Sequence, residues 1–318
     1  MISKRVFLWG LAALVLVALP PLAIRLGEPF YIDLVRRIMI LAIAAVSLNL
    51  ILGYGGLVSF GHAAYLGIGA YSVGILAFYG VTSGWLQWAV AIGASALVAL
   101  AIGAVSIRTS GIYFIMITLA FTQMLYYLGI SLEVFGGDDG MRLKAKSAFP
   151  LADLRDPTVF YYVCLALLFG CIFMVNRVVN SRFGMVLRAS KSNEARSRAI
   201  GFSPYPYRLA AFTIAGAMCG LSGALYANHT NYIVPGLMSW VHSGELMFMV
   251  ILGGMASSAG PVLGAFALLL GEEVLKALLG LKSQGWIEHW QVLMGPLLIL
   301  SVLFFRRGLA GIFYKPDA

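Results

Sequence analysis

The sequence predicts an all-α fold: a polytopic transmembrane helical bundle of about ten spans, with broken helices and both termini cytoplasmic. Three observations predict it. Of 318 residues, 61% are hydrophobic and only 11% charged, whereas soluble domains carry roughly a quarter charged residues. Apolar runs such as Val6 to Ile24, Leu86 to Ile107 and Leu209 to Ala227 reach the about 20 residues that cross a hydrocarbon core. The 36 glycines exceed the roughly 7% of average usage, as expected where helix backbones approach closely.

In chain order the expected spans are 6–24, 36–52, 57–79, 86–107, 112–130, 159–176, 209–227, 244–256, 261–279 and 286–305, within one transmembrane domain covering 1–318. The first follows Lys4 and Arg5 like a signal peptide. It runs to about Leu19 and ends in Pro20-Pro21 without a small-residue cleavage site, so it reads as an uncleaved span. The run 244–279 is split in two, because a helix cannot pass unperturbed through the glycines and proline of 253–261. The split also places Arg306, Arg307 and Lys315 inside, giving 13 Lys/Arg against 2 Asp/Glu on the cytoplasmic side and 9 against 11 elsewhere. That asymmetry accounts for the net charge of +9 without invoking nucleic acid. Arg36 and Arg37 start the second span on the outer side, where they are expected to snorkel from a short interfacial helix.

Two loops are long. The outer loop 131–158 carries five acids, glycines and prolines and reads as a surface segment with turns. The inner loop 177–208 carries seven Lys/Arg against Glu194 alone. On this topology single cysteines at Ser147 and Ser283 label from outside, and one at Ser190 only after permeabilisation.

Three motifs carry candidate chemistry. The first, 49–71, contains Asn49, Gly53, Gly56, Ser59, Gly61, His62 and Tyr65. So many glycines and polar side chains cannot form a uniform lipid-facing helix, so the stretch faces the bundle interior or a wet cavity. His62 is either a pathway group or a neutral histidine satisfied by a carbonyl at the break. In the second, Asn193 or Ser192 caps a short helix containing Glu194, Ala195, Arg198 and Ala199, and Gly201 closes it in the left-handed conformation. This helix either docks in a groove on a soluble partner or belongs to a basic loop facing anionic membrane lipid. The third is the helix break of Gly253, Gly254, Ser257, Gly260 and Pro261. Glu245, Glu272, Glu273 and Lys276 flank it and read as interface charges or an ion pair rather than a proton relay. His229, His242 and His289 fall in or near outer loops as solvated histidines, and Cys164, Cys171 and Cys219 are packing residues inside spans. The chain has no nucleotide-binding Gly-rich loop with its Lys-Ser/Thr, no His-Glu-x-x-His and no Cys/His spacing for a metal. No catalytic residue is expected.

The motifs in this order, Asn-Leu-x-x-Gly-x-x-Gly-x-x-Ser-x-Gly-His-Ala at 49–63, Glu-x6-Gly at 194–201 and Gly-Gly-Met-x-Ser-x-x-Gly-Pro at 253–261, resemble the LivM-type permeases of branched-chain amino acid ABC importers. The resemblance implies a permease in a bacterial inner membrane. Its partners would be a homologous LivH-like permease, two cytoplasmic ATPase subunits holding ATP and Mg, and a periplasmic solute-binding protein that delivers leucine, isoleucine or valine. This chain would bind no cofactor. By the same analogy 194–201 is the coupling helix of a cytoplasmic coupling loop, 177–208, and 49–71 lines the translocation path. Arg196 departs from the family's Glu-Ala-Ala-like signature. Other readings are a permease of the same family for urea, amides or another amino acid, and an ion-coupled secondary transporter. The sequence also offers no clear buried guanidinium–carboxylate pair, so the chain alone is expected to bind leucine weakly or not at all.

Overall fold

The computed structural model describes residues 2–150, 153–280 and 308–313, with a few isolated positions between 295 and 303. The expected last span at 286–305, Ser283, His289, Arg306, Arg307 and Lys315 otherwise lie outside the described residues. The long helices in chain order are α1 (Ile2–Leu26), α2 (Phe30–Asn49), α3 (His62–Phe78), α4 (Gly84–Ser106), α5 (Ile112–Ser131), α6 (Pro157–Val179), α7 (Arg182–Ser192), α8 (Glu194–Ala199), α9 (Pro204–Thr230), α10 (Trp240–Gly253) and α11 (Gly260–Gly280). Among the described residues five segments, Phe30–Tyr54, Gly84–Ser106, Ile112–Ser131, Pro157–Val179 and Pro204–Thr230, are long and apolar enough to cross a bilayer.

α2 is the axis, because it is apolar all round and such a helix must be surrounded. Ile38, Ile43, Ala45 and Leu48 are fully buried, against α6, α9, α10 and α11. Beside it α3, α4 and α9 pack backbone on backbone. A Cβ on Gly69 would lie 2.0 Å from the Gly220 carbonyl oxygen, and one on Gly223 would lie 1.9 Å from that of Leu66, so only glycine permits this approach. α4 and α5 form the periphery, where Leu97, Leu100, Met116 and Met124 stand exposed as on a surface that meets lipid or another subunit.

The chain ends its helices where its sequence provides caps. Asp156 accepts from Thr158 N at 2.8 Å ahead of Pro157 in α6, Pro204 opens α9, and Asn231 closes it at φ 55°. α1 runs through Pro20-Pro21 to Leu26, two residues past the expected end at 24. Each proline removes the N–H that would bond the carbonyl four residues earlier, here Leu16 and Val17. Both carbonyls are taken by α6: Tyr161 Oη donates to Leu16 O at 2.8 Å and Tyr162 Oη to Val17 O at 3.1 Å. Neighbouring hydroxyls therefore let the helix continue.

Further differences concern charges and loops. Arg36 is buried rather than snorkelling, and no short interfacial helix precedes it. It pairs with Asp33, donates to His229 Nδ1 at 3.0 Å and lies 5.0 Å from the Phe160 ring centre. His229 is correspondingly buried, not solvated. The segment 131–150 forms two short 3-10 turns and a strand, β1 (Met141–Arg142), antiparallel to β2 (Tyr232–Ile233). Ser147 is then drawn into the bundle, donating to Gln87 Oε1 at 2.5 Å while its N–H donates to Asn228 Oδ1 at 2.8 Å. Ser147 and Ser190 are each 2% exposed, so neither is a reporter of sidedness. The segment 177–208 is two helices, α7 and α8, rather than a loop with one short helix. The signal for α7 was Ser181, which caps it, and the buried row Val186, Leu187 and Ser190 at helical spacing.

Candidate functional site

The first and third motifs, about 200 residues apart, fold into one junction. After Asn49 the helix widens into a π-turn, Leu50–Tyr54, and the chain leaves helical structure until His62, so the expected helix over 57–79 begins five residues late. α10 likewise ends at Gly253, and α11 begins at Gly260 with Pro261 in its first turn, where the missing N–H has no cost. Between them Gly254 has φ 115° and Ala256 φ 59°. Asn49 clamps this break: its Nδ2 donates to Ser257 O at 2.9 Å and its Oδ1 accepts from Ala256 N at 3.0 Å. Ser257 Oγ accepts from Gly260 N at 3.2 Å, and Ser258 bonds Asn176 of α6. Glycine is required here because a Cβ on Gly53 would lie 2.5 Å from Ala256 N, and one on Gly253 1.8 Å from Gly260 O.

The second motif joins the same junction through α7. Lys191 Nζ donates to Gly53 O at 2.6 Å, supplying a donor to a carbonyl of the π-turn. Asn193 caps α8 by accepting from Arg196 N at 2.8 Å, and Gly201 closes it at φ 91°. Glu194 accepts from Arg198 at 2.6 Å and from Arg208 of α9 at 2.8 Å, while Arg208 also donates to Ser190 O at 3.1 Å. Partial burial alone would raise the Glu194 carboxyl. The hydrogen bonds and charge of Arg208, then of Arg198, outweigh it and hold it below the usual carboxylate range. Ala195, Arg198 and Ala199 are exposed.

Of the path candidates, only Gly56 is exposed; Asn49, Gly53, Ser59, Gly61, His62 and Tyr65 are buried. Gly56, at φ 69°, borders an open pocket of about 170 Å³ that Lys191, Glu194 and Arg208 also line. His62 lies 2.7 Å from Ser47 Oγ through Nε2, not against a carbonyl, and its Nδ1 has no partner among the described residues. Tyr65 stacks edge-on between His62 and Phe212. Glu272 pairs with Lys276 at 2.5 Å, as the ion-pair reading expects. The described residues contain no group of three His, Cys, Asp or Glu arranged to hold a metal.

Residues 30–302 match the family described as branched-chain amino acid transport system permease components. The chain belongs to that family. It is 26% identical over 97% of its length to the high-affinity branched-chain amino acid transport system permease protein LivM of Salmonella typhimurium, covering 75% of that protein. The same figures hold for LivM of Escherichia coli. The probable LivM of Methanocaldococcus jannaschii is 25% identical, with 87% of this chain and 93% of the relative covered. No solved structure matches. As in a multi-pass helical permease, the site is built on helix interruptions at interior positions, which are tolerated where protein satisfies the freed backbone groups. Sequence reasoning missed Lys191, Arg208, Ser47 and Asn176 as members of this permease's junction. Only Lys191 and Arg208 left a signal, as basic residues flanking the capped helix.

Proposed function

We propose that this permease is the membrane subunit of an ATP-driven ABC importer for leucine, isoleucine and valine. In this reading one permease domain crosses the bacterial inner membrane ten times with both termini cytoplasmic. It pairs with a LivH-like permease, receives substrate from a periplasmic solute-binding protein and is driven by two cytoplasmic ATPase subunits. ATP and Mg belong to those subunits, and this chain binds no cofactor.

The observation that carries the mechanism is the set of bonds Glu194–Arg208–Ser190 and Lys191–Gly53, with Gly53 in the π-turn that follows Asn49, whose side chain holds the 253–261 break. The outward face of α8 offers Ala195 and Ala199 to a soluble partner. A push on α8 is delivered through α7 to the π-turn, where Asn49 ties two helix interruptions together. Interrupted helices repack at little cost because their backbone bonds are already broken. The 49–65 segment thus serves as the moving wall of the path, with Gly56 at its inner mouth. The Glu272–Lys276 pair neutralises the most buried acid of α11, which disfavours an ion-coupled carrier.

The test is leucine uptake together with copurification of the ATPase, at matched abundance of the permease. Gly201→Val places a β-branched residue at φ 91° and lowers uptake. Glu194→Lys sets a third cation between Arg198 and Arg208 and lowers both uptake and copurification. Normal values for both variants would leave 194–201 as a topology signal only.

A further inference from the structure

Of the five spanning segments α5 is the least enclosed, with 22% of its apolar stretch buried. Its buried side is the row Phe114, Thr118, Thr122 and Gly129. Helical rotation of about 100° per residue sets Met116, Ala120, Gln123 and Tyr127 within about 60° of one another on a different side. There Met116, Ala120 and Tyr127 are exposed and Gln123 is half-buried. Gln123 stands about 16 Å along a helix of about 30 Å, in the middle of the span. Its carboxamide has no hydrogen-bond partner among the described residues. Deeper polar side chains are bonded, as Ser95 to Tyr65 O at 3.1 Å and Ser222 to Ile40 O at 2.6 Å. An amide in hydrocarbon with neither donor nor acceptor satisfied is costly, so this side of α5 faces something polar.

Two contacts tie α5 to the junction. Thr122 Oγ1 shares its hydrogen between Thr118 O at 2.9 Å and Phe60 O at 3.3 Å, and a Cβ on Gly61 would lie 3.3 Å from Thr118 Cβ. The 55–61 segment therefore lies against the inner side of α5, with Ser59 and Gly61 buried. Where α5 begins, Gly111 and Ile115 border the open pocket of Gly56, Lys191, Glu194 and Arg208.

We propose that the Met116–Tyr127 side of α5 is the wall that solute meets, and that Gln123 is its polar contact at mid-membrane for a zwitterionic amino acid. One carboxamide both donates to a carboxylate and accepts from an ammonium, and being neutral it holds neither tightly. Met116 offers a flexible apolar surface to the solute's side chain. The opposite wall belongs to the partner permease, because the described residues leave this side of α5 uncovered. The proposal rests on the import reading and adds which surface carries the cargo. Movement of the 49–65 segment reaches solute through Thr118 and Thr122, not by direct contact.

The experiment uses the complete complex in nanodiscs. Ala120→Cys, Met116→Cys and, for comparison, Leu97→Cys at mid-span on the exposed side of α4 are each treated with a positively charged methanethiosulfonate. The unsubstituted complex gives the background from buried Cys164, Cys171 and Cys219. The reacting species is the thiolate, which forms in water, so the thiols at 116 and 120 should react at least about tenfold faster than the one at 97. In proteoliposomes Gln123→Leu should lower leucine uptake about tenfold, the worth of one hydrogen bond to a charged group, and Gln123→Asn should keep part of it. Copurification of the partner permease and of the ATPase should change with neither variant, whereas losing an amide bonded to a partner helix would loosen assembly. Rates at 116 and 120 no faster than at 97 overturn the proposal, since this side of α5 is then dry, against lipid or a partner helix. Normal uptake by Gln123→Leu, or loss of the partner permease from that variant, also overturns it. In each of these cases leucine import by the wild type leaves the import reading standing. A wild-type complex that imports no branched-chain amino acid removes that reading and the solute assignment together.

Discussion

Asn49→Leu tests the junction, because it keeps the side-chain volume while deleting both bonds to the break. The lost partners are the Ser257 carbonyl, bonded at 2.9 Å, and the Ala256 N–H, bonded at 3.0 Å. Each backbone group left unpaired away from water costs about 1–3 kcal/mol. Ala256 is exposed, so water replaces part of its bond and the pair is expected to cost about 2–3 kcal/mol. At roughly 2 °C per kcal/mol for a chain of this length, the midpoint should fall by about 4–6 °C. Cys164, Cys171 and Cys219 are free and buried, so a thiol-reactive fluorophore reports melting of the purified permease without any engineered site. Because Asn49 also ties the two interruptions together, uptake should fall even at temperatures well below the melt. A variant that melts and transports like the wild type would show that the two motifs are merely adjacent.

Tyr161→Phe should lower the melting midpoint by about 2 °C, the effect of one hydrogen bond worth about 1 kcal/mol. In a Pro20→Ala background the loss should shrink, since the restored N–H reclaims the Leu16 carbonyl that Tyr161 holds; full additivity in this double-mutant cycle would refute the exchange. Glu194 has a lowered carboxyl pKa, so its bonds contribute stability above the unfolded-state value of about 4.3 and are lost as pH falls through the lower folded value. Tryptic cleavage at Arg196 and Arg198 should therefore stay constant from about pH 8 to 5 and rise, after correction for protease activity, only below about pH 4. For sidedness, a cysteine at exposed Asp138 should react from outside and one at exposed Ala195 only after permeabilisation; the reverse pattern would invert the topology.

What was legible in the sequence was local. Gly253-Gly254 and Gly260-Pro261 announce the break because those residues forbid a continuous helix whatever surrounds them, and Asn193 and Gly201 announce α8 for the same reason. The long apolar runs placed the described helices to within a few residues, except where 55–61 stayed non-helical, and they did not show what lets α1 cross Pro20-Pro21. Both features depend on distant partners. Tyr161 and Tyr162 stand about 145 positions from the carbonyls they satisfy, as the spacing of these bonds records. Asn49 was singled out, but not its contact with the break, and Arg36 was read as a snorkelling surface charge because nothing near it in sequence foretells its bond to His229. Ser147 shows the same limit, since a polar residue in a hydrophilic loop gives no hint that Gln87 and Asn228 draw it inside.

The most direct test of the account is reconstitution of the permease with its partner permease, ATPase pair and binding protein in proteoliposomes, measuring labelled leucine, isoleucine and valine. The account predicts accumulation that requires ATP, the binding protein and this chain together, and that falls with Glu194→Lys. Accumulation by this chain alone under an ion gradient, or ATP-driven uptake of urea or an amide with none of leucine, would contradict it.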